Sequence, residues 1–317
     1  MSDWKPKIVV AGAGGMGALF GAILQDGGLD VTLVDTNSDH VSAIRNDGLK
    51  ISGFGGDRTV EITATTDASD IDHADVILFQ CKAHGTRDAA RAVRHLVDLG
   101  AIAVSFQNGL GNEELIAEEL GKASVLGGLT AMAGCMLGPG SIVDFSRVPS
   151  YIGEMDGGKS KRAERIAGAL SAAGLETHVS GDIVQEIWKK LLGNISLSAI
   201  SGATDLTSAE ILRIPALKTV SLQAIDEAFA VAGALGIALD REAVLQGMEL
   251  ISAPGGTGDN KSSLCVDILN GRPTEVDFIY GSVISKGVQT GVPTPTLNAL
   301  AAIVKGLESR YCGSRAL

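Results

Sequence analysis

The sequence predicts an α/β domain built on a parallel sheet and followed by an all-α domain, and three observations predict it. First, the β-branched run Ile8-Val9-Val10 leads into Gly12-Ala13-Gly14-Gly15-Met16-Gly17, and a second apolar strand, Val31 to Val34, ends at Asp35. Second, Asp75 to Gln80 and Ala101 to Phe106 are short continuous apolar runs of the kind buried in parallel sheets. Third, from about residue 182 the apolar pattern changes to a 3.6-residue period, punctuated by Pro215, Pro254, Pro273, Pro293 and Pro295.

The first element is a βαβ unit with G-x-G-x-x-G at its strand–helix junction and an acid after its second strand. That context marks a Rossmann-type dinucleotide-binding domain. Gly12 allows the tight turn, Gly14 lets the backbone approach a diphosphate, and Gly17 lets the helix pack close to the sheet. The diphosphate is expected on the helix N-terminus, against Gly12, Ala13, Gly14, Gly15, Met16 and Gly17. Asp35 is expected to accept both hydroxyls of the adenosine ribose. A carboxylate there repels a 2′-phosphate, and no Lys or Arg follows it until Arg45, so NAD is favoured over NADP.

Composition narrows the remaining classes. A chain of 317 residues has room for two domains, here 1–180 for dinucleotide binding and 181–317 for a helical substrate-binding and dimerisation domain. A net charge of −11 leaves no basic footprint for nucleic acid or an anionic membrane. Cys81, Cys135, Cys265 and Cys312 are scattered without a C-x-x-C, which suits reduced thiols in the cytoplasm. Residues 8–24 imitate a signal peptide, but the glycine spacing and immediate return to a strand favour a nucleotide loop. No segment is long and apolar enough for a membrane span.

Between the strands, a helix is expected over Ser38 to Asn46, a small antiparallel pair over Ile51 to Thr65, and further short strands over Val125 to Glu154 with a turn at Gly138-Pro139-Gly140. Lys82 and Asn108 follow strand ends and so share the glycine loop's edge of the sheet. Helices are expected over 182–202, 208–236, 240–251, 262–270, 273–290 and 294–311, with Pro254-Gly255-Gly256-Thr257-Gly258 as a flexible loop. The site is expected between the two domains.

Lys190, Asn194 and Ser198 stand at i, i+4 and i+8 of an otherwise apolar helix, so they share one face. Such a stripe faces a ligand, a partner or water, and a snorkelling lysine is the plain alternative. Pro273 breaks the helical run, so Ser263 and Glu275 can converge from adjacent helices. Glu275, at the third position of a new helix, equally suits a capping role.

Together these residues resemble the ketopantoate reductase (2-dehydropantoate 2-reductase) family along the whole chain. The resemblance rests on the glycine loop, Lys82, Gln107-Asn108-Gly109, Trp188-x-Lys190-Leu191-x-x-Asn194, Ser262-Ser263 with Asp267, and Arg272-x-Thr274-Glu275-x-Asp277. It implies hydride transfer between the nicotinamide C4 and C2 of a 2-oxo acid, ketopantoate giving D-pantoate. Lys190 is implied as the general acid and Glu275 as a group that orients Lys190, the hydroxyl or the cofactor ribose. Asn108 is implied between nicotinamide and substrate, Asn194 and Ser263 on the substrate's distal hydroxyl and carboxylate, and Lys82 on the cofactor. No metal is implied, the five histidines form no ligand cluster, and His84 falls in a loop at the cofactor edge. A cytoplasmic homodimer, with a small-molecule substrate, follows from the same resemblance.

Two positions depart from the family pattern. Biosynthetic members use NADPH and carry a basic or neutral residue where Asp35 stands, and members acting on ketopantoate show Asn-Pro where this chain has Ser198-Ala199. Ser198 therefore alters the wall that reads the substrate tail. The alternatives are an NAD-dependent D-2-hydroxy acid dehydrogenase on another substrate, as in D-mandelate dehydrogenase-like members, and a non-catalytic NAD(H)-sensing protein.

Overall fold

A computed structural model describes residues 4–252 and 257–311. It divides into two compact units, one running to Gln107 and resuming at Asn112–Val184, the other comprising Asn108–Gly111 and the chain from Gln185 onward.

The strands of the first unit are β1 (Lys7–Ala11), β2 (Asp30–Val34), β3 (Leu49–Gly53), β4 (Arg58–Val60), β5 (Thr63–Thr65), β6 (Val76–Phe79), β7 (Ile102–Ser105), β8 (Val125–Leu129), β9 (Ala133–Gly138), β10 (Ser141–Ser146), β11 (Ser150–Gly153) and β12 (Thr177–Val179). Its helices are α1 (Gly15–Asp26), α2 (Ser38–Asp47), α3 (Thr86–Ala92), α4 (Arg94–Asp98), α5 (Asn112–Leu120) and α6 (Lys161–Ala172). The large sheet has the order β12-β11-β8-β7-β6-β1-β2-β5. From β8 to β5 all neighbours are parallel, in the order of a dinucleotide-binding sheet, and β11 with β12 runs the other way. The strand order reverses between β1 and β6, and the glycine loop leaves β1 at that switch point. Ligands of open α/β sheets bind there.

Alternation along the strands divides the core. Ile8, Val10, Val76, Leu78 and Val104 pack with Leu19, Phe20 and Leu24 of α1. Val9, Ala11, Ile77, Phe79 and Ala103 pack with Ala90, Leu96 and Ile116 of α3 to α5. Phe20 meets Phe106 edge-on, with ring centroids 5.2 Å apart.

Only part of the stretch from Ile51 to Thr65 forms the expected antiparallel pair. β3 and β4 make that pair, whereas β5 joins the large sheet parallel to β2. β3 also pairs in parallel with β10, giving a second sheet, β4-β3-β10-β9. Its Leu49, Ile51, Val60 and Ile142 belong to the same core as α1.

The second unit is helical among its described residues: α7 (Ile183–Thr204), α8 (Ser208–Arg213), α9 (Pro215–Ala234), α10 (Arg241–Ser252), α11 (Ser263–Leu269), α12 (Ser282–Thr290) and α13 (Pro295–Glu308). The run expected over 208–236 is two helices, because Ile214 is extended before Pro215, which opens α9 as its first residue. The run expected from Pro273 begins only at Val276. Before it, Glu308 Oε1 accepts the Thr274 amide at 2.6 Å and Thr274 Oγ1 accepts the Val276 amide at 3.2 Å. A π-helical turn, Asp277–Gly281, then precedes α12. Residues 254–256 of the expected flexible loop, and Cys312, lie outside the described residues; Cys81, Cys135 and Cys265 are free thiols. Among the described residues no helix is long and apolar enough to cross a membrane.

A Cβ at Gly17 would overlap the backbone carbonyl of Gly12, which cannot swing aside as a side chain can. Gly17→Ala is therefore expected to destabilise the protein by about 1–3 kcal/mol, read as a lower urea midpoint at unchanged m-value.

Candidate active site

In the first unit Gly12, Gly15 and Gly17 of the loop each have a separate steric reason. Gly12 has φ of +98°, and a Cβ there would strike the Cys81 backbone. The Gly12 amide donates to Val34 O at 2.8 Å, and the Gln80 and Cys81 amides both reach Ala11 O, so the loop is tied to the ends of β2 and β6. At Gly15 a Cβ would lie 2.6 Å from Cys135 Cα on β9, a contact with the second sheet that the sequence did not suggest. Gly17 is needed against the Gly12 carbonyl, just past β1, and a Cβ there would also lie 3.1 Å from Gln80 Cβ, just past β6. Gly14 differs from these, because nothing lies within 4 Å of where its Cβ would be. It caps α1 without a side-chain hydrogen bond, and the first turn, which includes Met16, holds no acid. The half-buried start of α1, with its positive helix end and no acid in its first turn, fits a dinucleotide diphosphate.

Ala13 is held from both sides. Its amide donates to Asp35 Oδ2 at 2.7 Å, while Asp35 Oδ1 accepts the Asn37 amide at 2.9 Å. Asp35 thus braces the loop through Oδ2 and the turn into α2 through Oδ1, and each oxygen has a further acceptor site for the ribose hydroxyls expected there. The Ala13 carbonyl is bonded to His40 Nε2 at 2.9 Å, and His40 Nδ1 accepts the Gly140 amide at 3.0 Å. An amide donor at Nδ1 assigns the imidazole proton to Nε2. His40 is 1% exposed and escaped the sequence reading. Its signal was the four-residue spacing to Ile44, which puts both on the buried face of α2.

Lys82 is exposed just beyond β6, where it caps the turn Ala83–Gly85 that contains His84. The same sheet edge is braced by Gln107, whose Nε2 donates to Cys81 O at 2.8 Å and Thr86 Oγ1 at 2.7 Å.

In the second unit Lys190 is half-buried, and its Nζ donates to Asn108 Oδ1 at 2.8 Å. The neighbouring Lys189 pairs instead with Glu186 at 2.9 Å on α7 itself. Asn194 is half-buried and Ser198 only 5% exposed, so the stripe is not a solvated face. Ser198 O accepts from Ser262 Oγ at 3.2 Å, and Ser262 Oγ also caps α11 by accepting the Cys265 amide at 3.1 Å. The exposed Ser263 is the first residue of that helix.

Glu275 is 6% exposed and stands before its helix, not at its third position. Its carbonyl accepts the Phe278 and Ile279 amides, each at 3.0 Å. In the π turn that follows, Phe278 O accepts the Leu110 amide at 2.8 Å and Ser282 Oγ at 2.6 Å. Tyr280 is fully buried, which pushes its phenol pKa up. Arg272 with Asp267, at 3.4 Å, and Asp277 with Lys305, at 2.6 Å, form ion pairs within the helical unit. Lys190 and Asn108 are therefore in direct contact, and Ser198 is beside the Ser262–Ser263 cap.

Two family models divide the chain between them: "Ketopantoate reductase PanE/ApbA" matches residues 8–157, and its C-terminal counterpart matches 182–308. The chain belongs to the ketopantoate reductase family. The 2-dehydropantoate 2-reductase of Pyrococcus abyssi is 33% identical over 306 residues, covering 96% of this chain and 98% of that protein. That of Halobacterium salinarum is 30% identical, covering 94% and 98%. Among solved structures, D-mandelate dehydrogenase with NADH and anilino(oxo)acetate is similar at a TM-score of 0.92 and 27% identity, covering 96% of this chain and 99% of that one. The ketopantoate reductase of Ralstonia eutropha JMP134 is similar at 0.89 and 28%, with the same coverage.

The residue after Asn108 is a glycine in a conformation that other residues rarely adopt. Gly109 has φ of +89°, and a Cβ there would lie 2.5 Å from Phe278 O. Gly109→Ala is expected to displace Asn108, lowering kcat/KM at least about tenfold and Tm by a few degrees, measured by steady-state kinetics and thermal unfolding.

Proposed function

We propose that this ketopantoate reductase family member reduces 2-dehydropantoate to D-pantoate, with Lys190 as general acid. The Lys190–Asn108 hydrogen bond carries the reading. It fixes the Lys190 ammonium against Asn108, the side chain that the family resemblance sets between nicotinamide and substrate.

The bound reduced nicotinamide supplies the hydride to the C2 carbonyl. Lys190 stabilises the charge developing on the carbonyl oxygen and gives it a proton, so carbonyl becomes hydroxyl. Asn108 fixes the ammonium, Glu275 orients the reacting groups, and Asn194, Ser198 and Ser263 bind the carboxylate and tail. The glycine loop, with Lys82, holds the dinucleotide. NAD is the cofactor this reading favours, because the acidic Asp35 stands just past the end of β2 beside the glycine loop, and the similar D-mandelate dehydrogenase was solved with NADH. The enzyme acts as a cytoplasmic homodimer in this reading.

A second reading, an NAD-linked dehydrogenase of another D-2-hydroxy acid, is favoured by Asp35 together with the short, buried Ser198. Steady-state oxidation of NADH and NADPH with 2-dehydropantoate and a panel of bulkier 2-oxo acids separates the two. Preference for 2-dehydropantoate supports the first reading, and preference for an aromatic 2-oxo acid supports the second.

Lys190→Ala should lower kcat by about 10²–10⁴-fold while NADH affinity, read by fluorescence titration, stays within a few-fold. Full activity in that variant would refute the acid assignment, and a wild-type chain that binds NADH without turnover would favour a sensor. Asp35→Asn keeps an acceptor for Ala13 and removes the charge, so the NADPH-to-NADH ratio of kcat/KM should rise about tenfold. An unchanged ratio would show that the acid does not read the ribose.

A further inference from the structure

Tyr280 makes a contact that neither the reaction nor the motifs call for. Its hydroxyl accepts the Ala199 amide at 3.0 Å and donates to Ile195 O at 2.7 Å. Those two groups are the i and i−4 partners that an uninterrupted α-helix bonds directly. The phenol is thus inserted into the ladder of α7 in the turn between Asn194 and Ser198, an insertion of the kind that bends helices.

The side chain arrives there from the π turn Asp277–Gly281, which also turns the Phe278 carbonyl to the Leu110 amide of the Asn108 loop. π turns inside α-helices interrupt the regular bonding pattern and recur at functional sites. Here one five-residue turn holds the loop bearing Asn108 and the α7 turn between Asn194 and Ser198, and it begins two residues after Glu275. On the other side, Ser262 Oγ holds Ser198 O. A phenylalanine would fill the same buried space, so packing alone does not account for the hydroxyl. Its satisfied contacts lie on the helix turn that separates the proton-donating end of the stripe from its tail-binding end.

We propose that Tyr280 is a positioning residue for substrate selection: by bridging Ile195 and Ala199 it sets where Asn194 and Ser198 stand relative to Lys190, and so the fit of the substrate's distal hydroxyl. This rests on the reading that α7 binds a 2-oxo acid. Without the hydroxyl, Ala199 N–H and Ile195 C=O can close a direct bond, tightening that turn and shifting both side chains while leaving Lys190, one turn earlier, in place.

The test is Tyr280→Phe in the full-length protein, with 2-dehydropantoate and with the same branched 2-oxo acid lacking its terminal hydroxyl. The expected result is a rise of about tenfold in KM for 2-dehydropantoate, with kcat within about threefold, NADH KM unchanged, and little effect on the substrate lacking the hydroxyl. Equal losses on both substrates, or parallel falls in kcat and Tm, would mark a merely structural tyrosine and overturn the proposal. Unchanged kinetics on both would overturn it as well. Hydrogen exchange across residues 195–199 is a readout independent of activity: it should differ between wild type and Tyr280→Phe, and identical exchange would overturn the bridge itself. A wild-type chain inert toward every 2-oxo acid would refute the underlying reading, leaving the exchange result to decide the bridge.

Discussion

The hydrogen bond from Lys190 to Asn108 is the constraint around which the candidate site of the helical unit is arranged. An ammonium on a largely apolar helix face needs acceptors, and the Asn108 side-chain oxygen is one of them. Keeping Asn108 there requires a left-handed Gly109 against the Phe278 carbonyl and the Leu110 amide bonded to that carbonyl. The π turn that presents Phe278 follows a non-helical stretch after Pro273 in which Glu308 accepts the Thr274 amide.

The dinucleotide loop is secured by comparable means, though its parts are backbone. Steric exclusion at Gly12, Gly15 and Gly17 leaves little freedom, and Asp35 and His40 hold Ala13 by its amide and its carbonyl. Both polar atoms of one peptide position are thereby taken by protein groups, and the neighbouring amides at the start of α1 remain for an anion. Rigidity and open donors together are what a diphosphate site needs, because little reorganisation accompanies binding. Asp35 thus serves two ends, bracing the loop and placing a negative charge beside the second strand.

Much of this was legible in the sequence. The βαβ phosphate loop, the buried parallel strands and the shared face of Lys190, Asn194 and Ser198 follow from local spacing. Strand and helix periods determine which neighbouring side chains point together, and glycine spacing reports the backbone's own sterics. These effects act over a few residues, so they survive without knowledge of the fold.

What only the tertiary structure decided involves groups distant along the chain. β5 leaves its neighbours for the large sheet because β2 presents an open edge. His40 matters because Gly140 is brought to its other nitrogen, and the helix expected at Pro273 starts late because Glu308 accepts the Thr274 amide. Tyr280 enters the α7 ladder from 81 positions away. In each case a buried polar group must find a partner, and which partner it meets is set by packing, not by any period in the sequence.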